Sequence, residues 1–144
     1  HPVFPLQNTV ADINIDMIGR RDSTHLHSQP YIYVIGSDRL SSGLHRAIEQ
    51  SNATYTGLLL DYTFNAEDDP NRFYYRSDHY NFARKGVPSV FFFSGVHEDY
   101  HQPGDDVEKI EPELLHQRTL LAFNTAWILA GQENRIVVDK PVKP

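Results

Sequence analysis

Gly86-Val87-Pro88-Ser89-Val90-Phe91-Phe92-Phe93 is the stretch that decides the fold. Pro88 blocks helix, and Val90 to Phe93 are β-branched or aromatic at consecutive rather than alternating positions. A strand that is apolar on both faces needs cover on both. It therefore belongs in the middle of a sheet lying between helical layers. Immediately upstream, Asp78 to Lys85 reads as a short helix with Ser77 as its N-cap and Gly86 at the C′ position. Downstream, Ser94 to Asp106 is a loop rich in Gly, His, Asp and Pro.

Working further outward, the same grammar repeats. Val10 to Ile18 alternates, with Ile13, Ile15 and Met17 on one face and Asp12, Asn14 and Asp16 on the other, until Gly19 ends it. Arg20 to Pro30 is a polar loop. Tyr31 to Ile35 is a second strand, closed by Gly36-Ser37-Asp38. A helix over Leu40 to Ser51 follows, with Ser37, Asp38 or Ser41 as its cap and Leu44, Ala47 and Ile48 on its inner stripe. Gly57 to Tyr62 holds a third strand, and Asn65 to Asn71 an acidic surface loop. After the Phe-rich strand, Glu111 to Gly131 is a long helix with Pro112 in its first turn. Leu114, Leu121, Phe123, Trp127 and Ile128 are expected to form its apolar face. His1 to Pro5 reads as an extended lead-in, and Ile136-Val137-Val138 in the tail as a brief strand pairing. Strands alternating with helices predict an α/β layered domain with a largely parallel sheet. Chemistry in such sheets gathers beyond the strands' carboxyl ends. Those ends fall after Met17, after Ile35 and after Phe93.

Composition narrows the function. The 144 residues suit one domain, with 40% apolar and 12% aromatic side chains, so a packed core is expected. There is no cysteine, which removes disulfides, thiolate zinc sites and cysteine nucleophiles. The net charge of −6 and the lack of a basic stretch argue against nucleic acid as a partner. No apolar run approaches the roughly 20 residues of a membrane span. The first residue is His1 rather than Met, so processing or excision from a longer chain is expected.

The residues able to carry chemistry sit near those strand ends. Asp16, at the end of the first strand, points into the crevice or caps the turn that follows. His97, Asp99, His101, Asp105 and Asp106 crowd the loop after the Phe-rich strand, as a polar surface loop or as ligands with carboxylate partners. His97 and His101 have the spacing H-x-x-x-H, but Pro103 and Gly104 make this a loop and not the helix of a zincin. His25 and His27 are expected at the surface. No serine elbow, Walker loop or dinucleotide fingerprint occurs.

Four motifs, in order, carry a resemblance: N-I-D-M-I-G-R at Asn14–Arg20, R-S-D-H-Y-N-F at Arg76–Phe82, G-V-P-S-V-F-F-F at Gly86–Phe93 and D-Y-H-Q-P-G-D at Asp99–Asp105. Over about Pro5 to Gly131 the chain resembles the C-terminal part of a di-zinc exopeptidase of metallopeptidase family 28, which includes aminopeptidases and glutaminyl cyclases. The resemblance implies a three-layer α/β fold of the phosphorylase/hydrolase-like zinc exopeptidase type, with a mostly parallel, mixed central sheet. It also implies that Asp16 and His101 are metal ligands serving different zinc ions. Ser77, Asp78 and His79 would then shape the active-site wall, with Tyr100 and Asp105 behind the ligands.

The family's other three ligands and its general-base Glu normally precede the N-x-D-M motif, and the only acid ahead of Asp16 is Asp12. Residues 1–144 are thus expected to be a single partial domain without its general base, binding zinc weakly or not at all alone and lacking peptidase activity. The implied partners are a peptide substrate and the missing N-terminal part of the same domain, with self-association through the surface left uncovered. Secretion or a periplasmic location is the expectation the family carries. A receptor- or scaffold-like relative and a one-zinc glutaminyl-cyclase-like acyltransferase are the alternatives.

Overall fold

In the computed structural model, residues 3–141 are described; the expected lead-in at His1–Pro2 and the tail's last three residues lie outside them. Four strands form one sheet: β1 (Asp12–Ile15), β2 (Tyr31–Ile35), β3 (Leu59–Asp61) and β4 (Ser89–Phe93). Their spatial order is β1-β4-β2-β3. The strand with two apolar faces is indeed interior. β4 pairs in parallel with β1, Asn14 opposite Phe91, and antiparallel with β2, Tyr33 opposite Phe93. β2 and β3 are parallel, Tyr31 opposite Leu59. The sheet is therefore mixed, with two parallel pairs and one antiparallel pair.

Alternation along each strand divides the core in two. Val90 and Phe92 of β4, with Ile32 and Val34 of β2, face the side covered by α1 (Ser42–Ser51) and α3 (Pro112–Ala130). Phe91, Phe93, Tyr31, Tyr33 and Ile35 face the other side, covered by α2 (His79–Ala83) and the turn at Phe73–Tyr75. The result is three layers. Ser41 is the residue that caps α1, its hydroxyl accepting the Leu44 N–H at 3.3 Å. Gly86 ends α2 with φ +81°, the conformation expected at C′.

Four expectations are corrected. The antiparallel run of β2 puts the turn after Ile35 at the opposite end of the sheet from Met17 and Phe93, so only two of the three strand ends share a crevice. Ser77 makes no cap for α2; its hydroxyl is used elsewhere. On α3 the buried stripe is Leu114, Arg118, Leu121, Ala122 and Thr125, while Phe123 and Trp127 are exposed. Ile136–Val138 forms no strand, though Ile136 packs on the core beside Gly43.

Candidate active site

β1 and β4 run side by side in the same direction, so Asp16 and the loop after Phe93 leave the sheet at the same edge. Asp16 lies just past β1, exposed, and one carboxylate oxygen accepts the Ser77 hydroxyl at 2.8 Å. Ser77 Oγ in turn accepts the Asn14 amide at 2.8 Å. A β1 side chain and Ser77, two residues before α2, thus aim the carboxylate. Behind it, Asp16, Phe73, Arg76, Phe91, Val96 and Tyr100 border a small recess. Arg76 lies across the Phe73 ring, 5.0 Å from its centroid, and among the described residues its guanidinium makes one hydrogen bond, to the Asn71 carbonyl at 3.3 Å. Most of its donors are unspent.

His101 is exposed, its ring stacked on Tyr100 with centroids 3.9 Å apart. No hydrogen bond or ion pair occupies its nitrogens, so both are open to a ligand among the described residues. Two non-glycine residues here have left-handed backbones: Met17 beside Asp16, and His101 itself, each with φ +57°. Such strain persists only where surroundings enforce it, and it concentrates at functional sites.

The remaining candidates separate. Asp78 is exposed, and His79 is wholly buried between Phe91 and Tyr74, both nitrogens without a partner. Burial pushes His79 down to about 4 despite the nearby charges of Asp16 and Asp78. It supports the wall from within as a neutral ring. Asp105 and Asp99 both bind Arg20, at 3.1 and 2.8 Å. His97 has a buried side chain, with Nε2 3.8 Å from Asp105. Asp106 is exposed at the loop's end.

The expectation that His25 lies at the surface is overturned; only His27 is exposed. His25 is buried, with Nδ1 3.2 Å from Asp22 and Nε2 3.2 Å from Asp61, and its ring stacks on Tyr31. Tyr33 donates to Asp22 at 2.7 Å, and Tyr31 donates to the Ser94 carbonyl at 2.6 Å. This network roots the loop after β4. Arg118, fully buried on α3, donates to the carbonyls of Ile18, Arg20 and Tyr31 at 2.7, 2.7 and 2.8 Å. It holds the segment after β1. Sequence reading missed Asp22 and Arg118 because one sits in a polar loop and the other inside an otherwise ordinary helix; only a charge at an apolar stripe position hinted at Arg118.

A carboxylate and an imidazole are donors that suit zinc. Among the described residues, however, no group of three His, Asp or Glu side chains is placed to hold a metal ion. Asp16 and His101 fit part of a zinc site and do not close one.

The fold is similar to that of solved aminopeptidases. The Legionella pneumophila LapA aminopeptidase matches with a TM-score of 0.66 at 20% identity, over 86% of this chain and 32% of its own. A zinc aminopeptidase from Bacillus subtilis matches with a TM-score of 0.62 at 20% identity, over 96% of this chain and 32% of its own. An aminopeptidase from Aneurinibacillus sp. strain AM-1 gives 0.61 and 20%, over 96% and 31%. The chain thus spans about a third of the length of these structures, and at such identities the likeness establishes the fold alone. No curated protein sequence matches. The model of Peptidase family M28 matches residues 1–126, most of the length, and so the chain belongs to peptidase family M28.

Proposed function

We propose that this chain carries one side of the active site of a zinc aminopeptidase, with Asp16 and His101 as ligands of two different ions. The observation that supports this best is the shared edge. Asp16 and the His101 loop leave the sheet together, flanked by two enforced left-handed residues, around a recess lined by Phe73, Phe91 and Val96. Zinc, when bound, supplies Lewis-acid polarisation of a peptide carbonyl and an activated water.

The chain's own residues orient and shield. Ser77 fixes the carboxylate of Asp16, Tyr100 braces the His101 ring, and the apolar recess excludes water beside the reacting bond. Arg76 offers free donors at the rim to polar groups of the peptide. The general base and the other ligands belong, in this reading, to the N-terminal part of the domain outside these residues. Residues 1–144 alone are then inactive and hold zinc weakly. Secretion or a periplasmic setting accompanies the proposal as a family trait.

The test uses the full-length parent with Asp16→Ala and His101→Ala. Loss of a partner behind a ligand already costs about 10–100-fold, so loss of a ligand should cut turnover at least about 100-fold. Each variant should lose one of two zinc ions by metal analysis. Full turnover at normal zinc content in both variants would overturn the assignment. A parent without zinc or peptidase activity would favour the scaffold-like alternative.

A further inference from the structure

Asp16 and His101 stand 101 − 16 = 85 positions apart, yet one guanidinium spans the segments that bear them. Arg20 lies four residues beyond Asp16. Its Nη1 donates to Asp99 at 2.8 Å and to Asp105 at 3.1 Å. These carboxylates fall two residues before His101 and four after it, so both shoulders of the turn are held by one cation. Lys109 grips Asp99 a second time at 2.7 Å.

The pair is not an ordinary surface bridge. The side chains of Arg20 and Asp99 are each only 14% exposed, so the bridge is largely shielded from solvent. The base of the clamp is rigid as well. Arg118 donates to the Arg20 carbonyl at 2.7 Å, and Glu111 N–H to the Gly19 carbonyl at 2.9 Å. Within the turn the main chain has only short-range bonds, such as Gln102 N–H to the Asp99 carbonyl at 2.8 Å. That bond closes a four-residue turn with His101 at its third position, where right- and left-handed backbones both occur, so the bond by itself does not select the left-handed one.

We propose that Arg20 is a positioning residue, fixing the place and the left-handed backbone of His101 relative to Asp16. The functional half of this rests on the reading of Asp16 and His101 as ligands; the clamp itself does not. Arginine suits the task because its guanidinium holds its donors in one rigid plane, whereas a lysine offers a strongly hydrated point charge on a flexible stem.

Arg20→Gln, Arg20→Lys and Asp99→Asn in the metal-free 144-residue chain test it, read by amide hydrogen exchange and by the NMR backbone coupling at His101. In Arg20→Gln, exchange over 97–106 should quicken at least about tenfold, with β4 and α3 unchanged. His101 should leave the left-handed region. Arg20→Lys, which keeps the charge but not the rigid planar group, should recover part of the protection. Should Arg20→Gln fail to fold, Asp99→Asn leaves Arg20 bound to Asp105 and to Arg118, and reads the same turn. Wild-type exchange and coupling in the variants that fold would overturn the proposal. In the full-length parent, Arg20→Gln should speed zinc loss to a chelator about tenfold or more. Wild-type retention there would overturn the functional half. A parent that binds no zinc would sink the peptidase reading and leave the clamp standing.

Discussion

At the scale of single residues, a half-buried carboxyl and a buried imidazole oppose each other. Burial raises the Asp12 carboxyl from 3.8 to about 6, with the charge of Asp78 adding to it. Burial lowers His79 from 6.5 to about 4. For Asp12 the folded state holds the proton more tightly than the unfolded chain, so stability falls as pH rises from about 4 to 6. For His79 the folded state holds it less tightly, so stability falls as pH drops from about 6.5 to 4. The two slopes largely offset. Asp12→Asn removes one of them by removing the ionisable group. With a discount for partial exposure, the variant should gain about 1 kcal/mol at neutral pH. It should then lose stability on acidification more steeply than the wild type. Denaturant melts at neutral and mildly acidic pH check this; parallel stability curves would contradict it. Gly95 shows another residue-scale constraint: with φ +89°, it lies where any Cβ would strike the Asp22 carboxylate.

At the scale of elements, β4 is decisive. Phe92 is fully buried between α1 and α3, and its neighbours in the strand fill the opposite layer. Phe92→Asp would bury an uncompensated charge and leave a void, costs of about 3–5 kcal/mol each. Against a domain stability of about 5–15 kcal/mol, that should abolish cooperative folding, while Phe92→Leu should leave a folded chain of lowered Tm. Circular dichroism melts separate the two outcomes. A cooperative melt for Phe92→Asp would mean the strand is not interior. The elements themselves were largely legible. β2 and β4 fall where the apolar runs end, because Gly36 and the Pro88 turn bound them. α2 is shorter than its sequence pattern, since Ser77 spends its hydroxyl on Asp16 rather than on a cap.

At the scale of the molecule, the surface carries an unusual apolar pair. Phe123 and Trp127 are 59% and 66% exposed, their rings stacked 6.2 Å apart on the outer side of α3. β1 is an edge strand with Ile15 exposed. An open edge with apolar side chains nearby favours pairing between copies. Sedimentation of the 144-residue chain should therefore show concentration-dependent association. Phe123→Glu with Trp127→Glu should reduce it without lowering Tm, because neither side chain belongs to the core. A wild type monomeric at high concentration would refute this.

Sequence by itself determined the core strands β2 and β4, the inner stripe of α1 and the interior place of β4. It also determined the four motifs that brought Asp16 and His101 forward. These are local properties, fixed by backbone sterics and by which faces must leave water. Tertiary structure alone decided that β2 runs against β4, which removed the Ile35 turn from the candidate crevice. It alone decided that His25, in a polar loop, is buried between Asp22 and Asp61, and that Arg118 anchors three carbonyls. Sequence could not show that Arg20 reaches both shoulders of the His101 turn. A buried polar group is tolerated only where its partners converge, and convergence of groups far apart in the chain is set by strand order and direction, which no local pattern encodes.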